Sequence, residues 1–199
     1  MAQGPAVKSP AKANWLTDGG DNERTAWQKH ETRISTESVK NMKLQWKLQL
    51  DNQPRQMHNL FPPLIVTNVT TAQGPKEIAV VAGVSDNVYG IDVATGQRLW
   101  SRKFDSTFVE QPGGRGGGVL CPGGLTATPV IAPTDTAGRY IVYAVSWDGR
   151  LRTLDVATGT DAAAPEPFLP PNGKPYGLNL WKGVLYTTTA QGCGGKKNT

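Results

Sequence analysis

The alternation of apolar and polar residues along this chain predicts short β-strands separated by turns. Two apolar runs, residues 78–84 and 140–146, each follow a shorter apolar run that begins at a proline, at Pro63 and at Pro129. Apolar runs of this length, bounded by turn-forming residues, are typical of strands in antiparallel sheets. The pattern therefore predicts a pair of adjacent strands at two places in the chain.

The sequence that follows each apolar run is repeated. Residues 86–96 read Asp-Asn-Val-Tyr-Gly-Ile-Asp-Val-Ala-Thr-Gly, and residues 148–159 read Asp-Gly-Arg-Leu-Arg-Thr-Leu-Asp-Val-Ala-Thr-Gly. Asp-Asn and Asp-Gly between apolar segments predict two-residue hairpin turns. Asp-Val-Ala-Thr-Gly predicts the next turn, after which residues 97–100 supply a fourth strand. Units of four antiparallel strands in tandem predict the blades of a β-propeller.

Incomplete units flank these two. Residues 176–180 and 184–189, separated by Lys182 and Gly183, match the first two strands of a third unit, whereas residues 43–50 alternate as an outer strand that closes the ring. We therefore expect an N-terminal extension over residues 1–42 and the N-terminal part of a longer propeller over residues 43–199. Its parts are a closing strand at 43–50, blade one at about 60–104, blade two at about 126–165 and the start of blade three at about 176–199.

Composition and charge narrow the class of protein. Of 199 residues, 23 are glycine and 15 are proline, which suits a β protein rich in turns. No apolar run approaches the roughly 20 residues of a membrane span, and residues 1–14 lack the apolar core of a signal peptide. The net charge of +5 comes from scattered lysines and arginines, which indicates a solvated surface. We expect neither a membrane span nor a nucleic-acid partner.

Several segments carry a family resemblance. Residues 14–21, Asn-Trp-Leu-Thr-Asp-Gly-Gly-Asp, and residues 38–46, Ser-Val-Lys-Asn-Met-Lys-Leu-Gln-Trp, resemble the opening of pyrroloquinoline quinone (PQQ) dependent alcohol dehydrogenases and related propellers. The blade signature of that family, Ala-x-Asp-x-x-Thr-Gly-x-x-x-Trp, is matched from Gly90 to Trp100, with glycine in place of the first alanine. The second copy has Thr153 for that alanine and Ala163 for the tryptophan.

The resemblance implies an all-β propeller of four-stranded PQQ-type blades, about two and a half of which are present, in a periplasmic or extracellular protein. In that family the tryptophan of one blade packs on the glycine peptide of a neighbour. Because Ala163 replaces that tryptophan, we expect one of these inter-blade contacts to be weakened.

The same resemblance implies a cofactor site at the propeller mouth. Arg115 and Gly116 match its Arg-Gly motif, and a guanidinium suits an anionic quinone. His58 and Trp147 are further candidates for contact with the cofactor. For His58 a structural role is the alternative, and for Trp147 the alternative is packing on the adjacent blade. The glycine-rich loop at 112–118 lacks the Lys-Ser/Thr and the helix of a phosphate-binding loop.

Three features depart from the pattern of the dehydrogenases. Leu60 stands where they carry a glutamate, no two cysteines are adjacent, and residues 191–195, Gln-Gly-Cys-Gly-Gly, offer no acid for calcium. PQQ is therefore a candidate cofactor, calcium is disfavoured, no metal ligands are predicted, and the catalytic residues stay unassigned.

Cys121 and Cys193 lie in loops that a propeller brings to one rim. We expect a disulfide between them in an oxidising compartment. Two separate thiols, or contact with a metal or cofactor, are the alternatives.

Two functions remain open from the sequence. One is a PQQ-family quinoprotein that oxidises a small-molecule alcohol or sugar and passes electrons to the bound quinone. The other is a non-enzymatic PQQ-repeat propeller scaffold that binds proteins or glycans, because the same repeats serve in non-enzymatic propellers.

Overall fold

The computed structural model describes residues 14–29, 31–54, 59–104 and 123–189. Strands dominate these ranges, and a short 3₁₀ helix spans Ser38–Asn41. The strands, in chain order, are β1 (Leu64–Thr71), β2 (Gly74–Gly83), β3 (Asn87–Asp92), β4 (Arg98–Lys103), β5 (Val130–Pro133), β6 (Tyr140–Val145), β7 (Arg150–Asp155), β8 (Asp161–Pro167), β9 (Pro175–Trp181) and β10 (Val184–Thr189). No helix in the described ranges is long and apolar enough to cross a membrane.

The strands form antiparallel sheets in which each strand pairs with the next one in the chain. One sheet has the order β1-β2-β3-β4, a second has the order β5-β6-β7-β8, and β9 pairs with β10. We call the two complete sheets blade one and blade two, and the β9–β10 hairpin the start of blade three. These sheets confirm the four-stranded units that the repeated sequence predicts.

The hairpin turns differ from the prediction by one residue. Gly83 pairs with Asn87 across β2 and β3, and the Ser146 N–H donates to Arg150 O at 3.1 Å, so each loop has three residues. The third loop residue is left-handed in both, with φ of 60° at Asp86 and 78° at Gly149. A three-residue hairpin loop needs one left-handed residue, and Asp tolerates that conformation through its short polar side chain.

The three sheets stack face to face, and the core lies in the layers between them. Blade one and blade two enclose the largest layer, and blade two and the β9–β10 hairpin enclose another. The opposite face of blade one is covered by residues 46–50. Each fully buried Leu or Val side chain in such a layer contributes about 1.5–3 kcal/mol relative to exposure. Blade one buries Leu64, Val66, Val69, Ile78, Val80, Ala82, Val88, Trp100 and Phe104 against Ile131, Val142, Ala144, Leu154 and Val156 of blade two.

Residues 46–50 show the alternation that the sequence predicts, whereas Leu44 is exposed. Trp46, Leu48 and Leu50 pack against blade one, while Lys47 and Gln49 are exposed. No strand of the described ranges pairs with this segment. Closure of the ring by this segment stays a prediction.

The Asp-Val-Ala-Thr-Gly sequence builds the turn between the third and fourth strands of each blade. The Asp92 carboxylate accepts from the Ala94 N–H at 2.9 Å and pairs with Lys76 Nζ at 2.6 Å. Asp155 accepts from the Ala157 N–H at 2.9 Å and pairs with Arg139 at 2.6 Å. The hydrogen bond from Lys76 is the main cause that holds the pKa of Asp92 below its ordinary value of 3.8. The repeated aspartate therefore fixes the turn through charge and hydrogen bonds.

A tryptophan ring from an earlier part of the chain packs on the glycine of that turn in each blade. The Trp46 indole N–H donates to Val93 O at 2.8 Å, and the Trp100 indole N–H donates to Val156 O at 2.9 Å. A Cβ at either Gly96 or Gly159 would lie 2.5 Å from the ring above it. Glycine is thus required here by the close approach of the ring. We call each of these contacts a Trp–Gly dock.

The second copy of the signature changes two facing positions together. Gly90 lies opposite Trp100 in blade one, where a Cβ would collide with the indole, whereas Thr153 lies opposite Ala163 in blade two. The threonine side chain fits because Ala163 leaves the space that an indole would fill. Ala163 also supplies no ring for a dock on the following blade.

Candidate binding mouth

The β2–β3 turn, the β6–β7 turn and the connections that follow blades one and two meet on one rim, which we call the mouth. The Trp147 N–H lies 3.2 and 3.3 Å from the two carboxylate oxygens of Asp86. Gly124 lies so close to Val84 that a Cβ would collide with the Val84 carbonyl. The Phe168 N–H donates to Gly149 O at 3.0 Å. These contacts hold the mouth together across blades one and two.

The β2–β3 turn binds both sides of the segment that contains His58. Asn52 Oδ1 accepts from the Ser85 N–H at 3.0 Å, and Asn52 Nδ2 donates to Asn59 Oδ1 at 2.9 Å. Asn59 O accepts from the Val84 N–H at 2.9 Å. His58 itself lies outside the described residues. Asn52 and Asn59, which flank this segment in the chain, both lie at the mouth.

The same turn binds both ends of the connection that carries Arg115. The Phe104 N–H donates to Asp86 O at 2.9 Å, and the chain returns with Gly124 beside Val84. Arg115, Gly116 and Cys121 lie outside the described residues. The chain therefore leaves for this connection at the mouth and comes back to the mouth.

Trp147 is buried at the mouth, and its backbone binds both blade one and the connection after blade two. It is 3% exposed, and its carbonyl accepts from the Asn172 N–H at 3.0 Å in the connection that follows blade two. Its own N–H faces Asp86 of blade one. Packing of the ring on the adjacent blade, the alternative for Trp147, stays a prediction. Contact of Trp147 with a cofactor also stays a prediction.

The side chain of Arg152 binds two residues at the β6–β7 turn. Arg152 Nε donates to Ser146 Oγ at 2.8 Å, and its Nη2 pairs with Asp148 Oδ2 at 2.7 Å. The guanidinium carbon lies 4.9 Å from the centroid of the Phe104 ring. Arg152 therefore pairs with Asp148 and also packs on Phe104, the last described residue before the connection that carries Arg115.

Lys174 is a buried basic residue that no sequence pattern predicts. Its side chain lies at the end of the connection after blade two, is 3% exposed and places the ammonium 5.2 Å from the Tyr176 ring centroid. Thr126 Oγ1 binds the next carbonyl, Pro175 O, at 2.6 Å. Burial of this lysine results from long-range packing, and the local sequence carries no signal of it.

The positions that distinguish the chain from the dehydrogenase pattern remain without carboxylates. Leu60, where the resemblance implies a glutamate, pairs with Gly83 at the mouth and is 43% exposed. In the described ranges no group of three His, Cys, Asp or Glu residues could hold a metal ion. Residues 191–195, which include Cys193, lie outside the described residues. The Cys121–Cys193 disulfide therefore stays a prediction.

Neither a family model nor a curated protein sequence matches the chain. Among solved structures, the quinohemoprotein alcohol dehydrogenase of Comamonas testosteroni matches with a TM-score of 0.59 and 21% identity, over 87% of this chain. BamB of Moraxella catarrhalis matches with a TM-score of 0.34 and 19% identity, over 56% of this chain and 27% of BamB, a likeness too low to argue from.

The chain spans 22% of the length of the dehydrogenase, so the likeness concerns one part of that protein. At 21% identity it shows the fold. The all-β fold of this chain is therefore a β-propeller, of which the described residues form two four-stranded blades and the first hairpin of a third.

Proposed function

We propose that this chain is part of a PQQ-type quinoprotein that binds the quinone at the mouth and oxidises an alcohol or a sugar. The observation that supports the proposal is the convergence at the β2–β3 turn. The segment with His58 and the connection with Arg115 and Gly116 both start and end at Val84–Asp86, through the Asn52, Asn59 and Phe104 contacts.

Arg115 suits an anionic ligand at the mouth, whereas Leu60 does not. PQQ carries three carboxylates, and Arg115 is the residue we propose to pair with one of them. Lys174 is buried in the connection after blade two, with its ammonium 5.2 Å from the Tyr176 ring centroid. Leu60 supplies no hydrogen bond, so the cofactor is held by fewer polar contacts than a site with a glutamate provides.

The bound quinone would supply the electron acceptor for the oxidation, and the residues of this chain would bind and orient it. The catalytic base and the substrate pocket are assigned to parts of the protein outside this chain. We place the whole protein in the periplasm or outside the cell, in keeping with the family resemblance.

The second candidate function is a non-enzymatic propeller scaffold that binds proteins or glycans. The half-exposed Leu60 favours it, because an apolar side chain at the mouth suits contact with a partner better than contact with a quinone carboxylate. The two functions differ in whether the mouth binds PQQ.

The deciding experiment is titration of the full-length protein with PQQ, with and without calcium, beside an Arg115→Ala variant. We expect binding in the wild type, little effect of calcium, and a loss of about tenfold to 150-fold in affinity on removing Arg115. That range corresponds to one charge-assisted hydrogen bond of roughly 1.5–3 kcal/mol.

Arg33→Ala is the matched control, because Arg33 lies in the exposed N-terminal segment and its guanidinium is 3.8 Å from Glu31. It removes one positive charge away from the mouth. Tight binding that survives Arg115→Ala would remove Arg115 from the site. Absence of PQQ binding by the wild type under both conditions would favour the scaffold.

A further inference from the structure

The first strand of each blade leaves one edge without a partner in its own sheet. β1, β5 and β9 each pair with a second strand on one side only. In a propeller these first strands surround the central channel. Their free edges carry N–H and C=O groups that can accept an added strand.

Residues 14–16 occupy the edge of β1. The Trp15 N–H donates to Ile65 O at 2.8 Å, and the Ile65 N–H donates back to Trp15 O at 2.9 Å. Asn14 Oδ1 accepts from the Thr67 N–H at 2.8 Å and from the Thr67 hydroxyl at 2.9 Å. This is a short antiparallel addition to blade one.

The same segment continues to the edges of the next two blades. Leu16 O accepts from the Ile131 N–H of β5 at 2.8 Å. Asn22 Nδ2 donates to Leu180 O of β9 at 3.0 Å, and Arg24 Nη2 lies 3.4 Å from Leu178 O of the same strand. One run of the chain thus reaches the backbone of three separate sheets.

Internal contacts fix the shape of this run. Gly20 lies against the Trp15 ring, where a Cβ would be 2.8 Å from the ring, and Arg24 pairs with Asp18 at 2.9 Å. The Ala26 N–H closes a loop by donating to Gly19 O at 2.9 Å. The segment therefore presents its hydrogen-bonding groups in a set arrangement, which lowers the entropy that it loses on docking.

We propose that residues 14–24 are an intramolecular clasp that fixes the relative positions of the three blades from the channel side. The Trp–Gly docks join residues 43–50 to blade one, and blade one to blade two, by side-chain contact at the β3–β4 and β7–β8 turns. The clasp instead joins first strands, by backbone hydrogen bonds, and also covers strand edges that would otherwise be open. Its action does not depend on PQQ binding.

The test is hydrogen exchange of the full chain, read by mass spectrometry on peptides that cover β1 and β5. In Trp15→Ala we expect the Ile65 and Ile131 amides to exchange roughly tenfold faster, because their acceptors lie on the clasp. Amides within the β2–β3 and β6–β7 ladders keep their protection. Trp27→Ala is the matched control, because Trp27 is exposed and lies beyond the clasp.

If Trp15→Ala destabilises the whole fold, two variants of Asn14 test the clasp with a smaller change in packing. Asn14→Ala removes the acceptor of the Thr67 N–H and should speed exchange at Thr67, whereas Asn14→Asp keeps an oxygen there and should preserve protection. Unchanged exchange at Thr67 in Asn14→Ala, or equal loss in Asn14→Ala and Asn14→Asp, would overturn the clasp. Unchanged exchange at Ile65 and Ile131 in Trp15→Ala would also overturn it.

Discussion

Single residues account for how the blades join. Trp100 reaches the peptide at Gly159 because that position has no Cβ and a φ of 70°. The sequence predicted this role for Gly159 and Trp100 through the blade signature. It did not predict that Gly90 must be glycine to accommodate the indole of its own blade, because that requirement arises from the register between β3 and β4.

The Trp–Gly dock can be tested with two glycines of the same backbone conformation. Gly159→Ala and Gly183→Ala both place a Cβ on a left-handed residue, at a cost of about 1–2 kcal/mol. Only Gly159→Ala also pushes against an indole, which adds roughly 1–3 kcal/mol, because nothing lies near a Cβ at Gly183. Urea unfolding should show the larger loss in Gly159→Ala. Equal losses would mean that the dock tolerates a methyl group.

The Asp92–Lys76 pair makes the free energy of unfolding depend on pH in the acid range. Because the pKa of Asp92 is lowered in the folded protein, its contribution is complete above the ordinary value of 3.8 and is lost as pH falls through the folded pKa. Lys76→Gln should flatten the fall in unfolding free energy below pH 3.8. Arg98→Gln is the control, because its pair with Asp51 is exposed. A wild-type slope retained in Lys76→Gln would contradict the assignment.

At the scale of elements, the strands were predictable and the long-range additions were not. Apolar runs, alternation and turn residues located β1 to β7, β9 and β10, because each of these signals lies within a local stretch of sequence. The clasp was missed because its partners lie up to 158 residues away. Asn14, Trp15 and Gly20 supplied a family resemblance but no local period. For the mouth, the resemblance predicted Arg115 and the position before the first strand predicted His58, and both stay predictions, whereas the roles of Lys174 and Asn52 depend on tertiary contacts.

At the scale of the whole molecule, the β9–β10 hairpin has one face on which no other described residue packs, which we call the uncovered face. Leu178, Leu180 and Leu185 pack on blade two, whereas Trp181, Val184 and Tyr186 are exposed on the other side. Blades one and two show that such a face is normally covered by another sheet. Exposed apolar surface next to a strand edge promotes association.

We therefore expect this chain, produced alone, to associate and to melt over a broad range. Trp181→Lys should increase the monomer fraction in light scattering, because it places a charge on the uncovered face. Leu44→Lys should change the monomer fraction less, because Leu44 is already 82% exposed and does not lie on that face. A monodisperse wild-type monomer with a sharp, reversible melt would contradict this expectation.

The Trp–Gly docks also have a consequence for the order of synthesis. Each indole precedes the carbonyl it binds, Trp46 by 47 residues and Trp100 by 56 residues. At about 5–20 residues per second, a ribosome makes the acceptor of Trp100 roughly 3–11 s after the indole. The clasp must wait longer, because Asn22 and Leu180 are 158 residues apart, which takes roughly 8–32 s. Neighbouring blades can therefore dock in turn as they emerge, and the clasp closes over them afterwards.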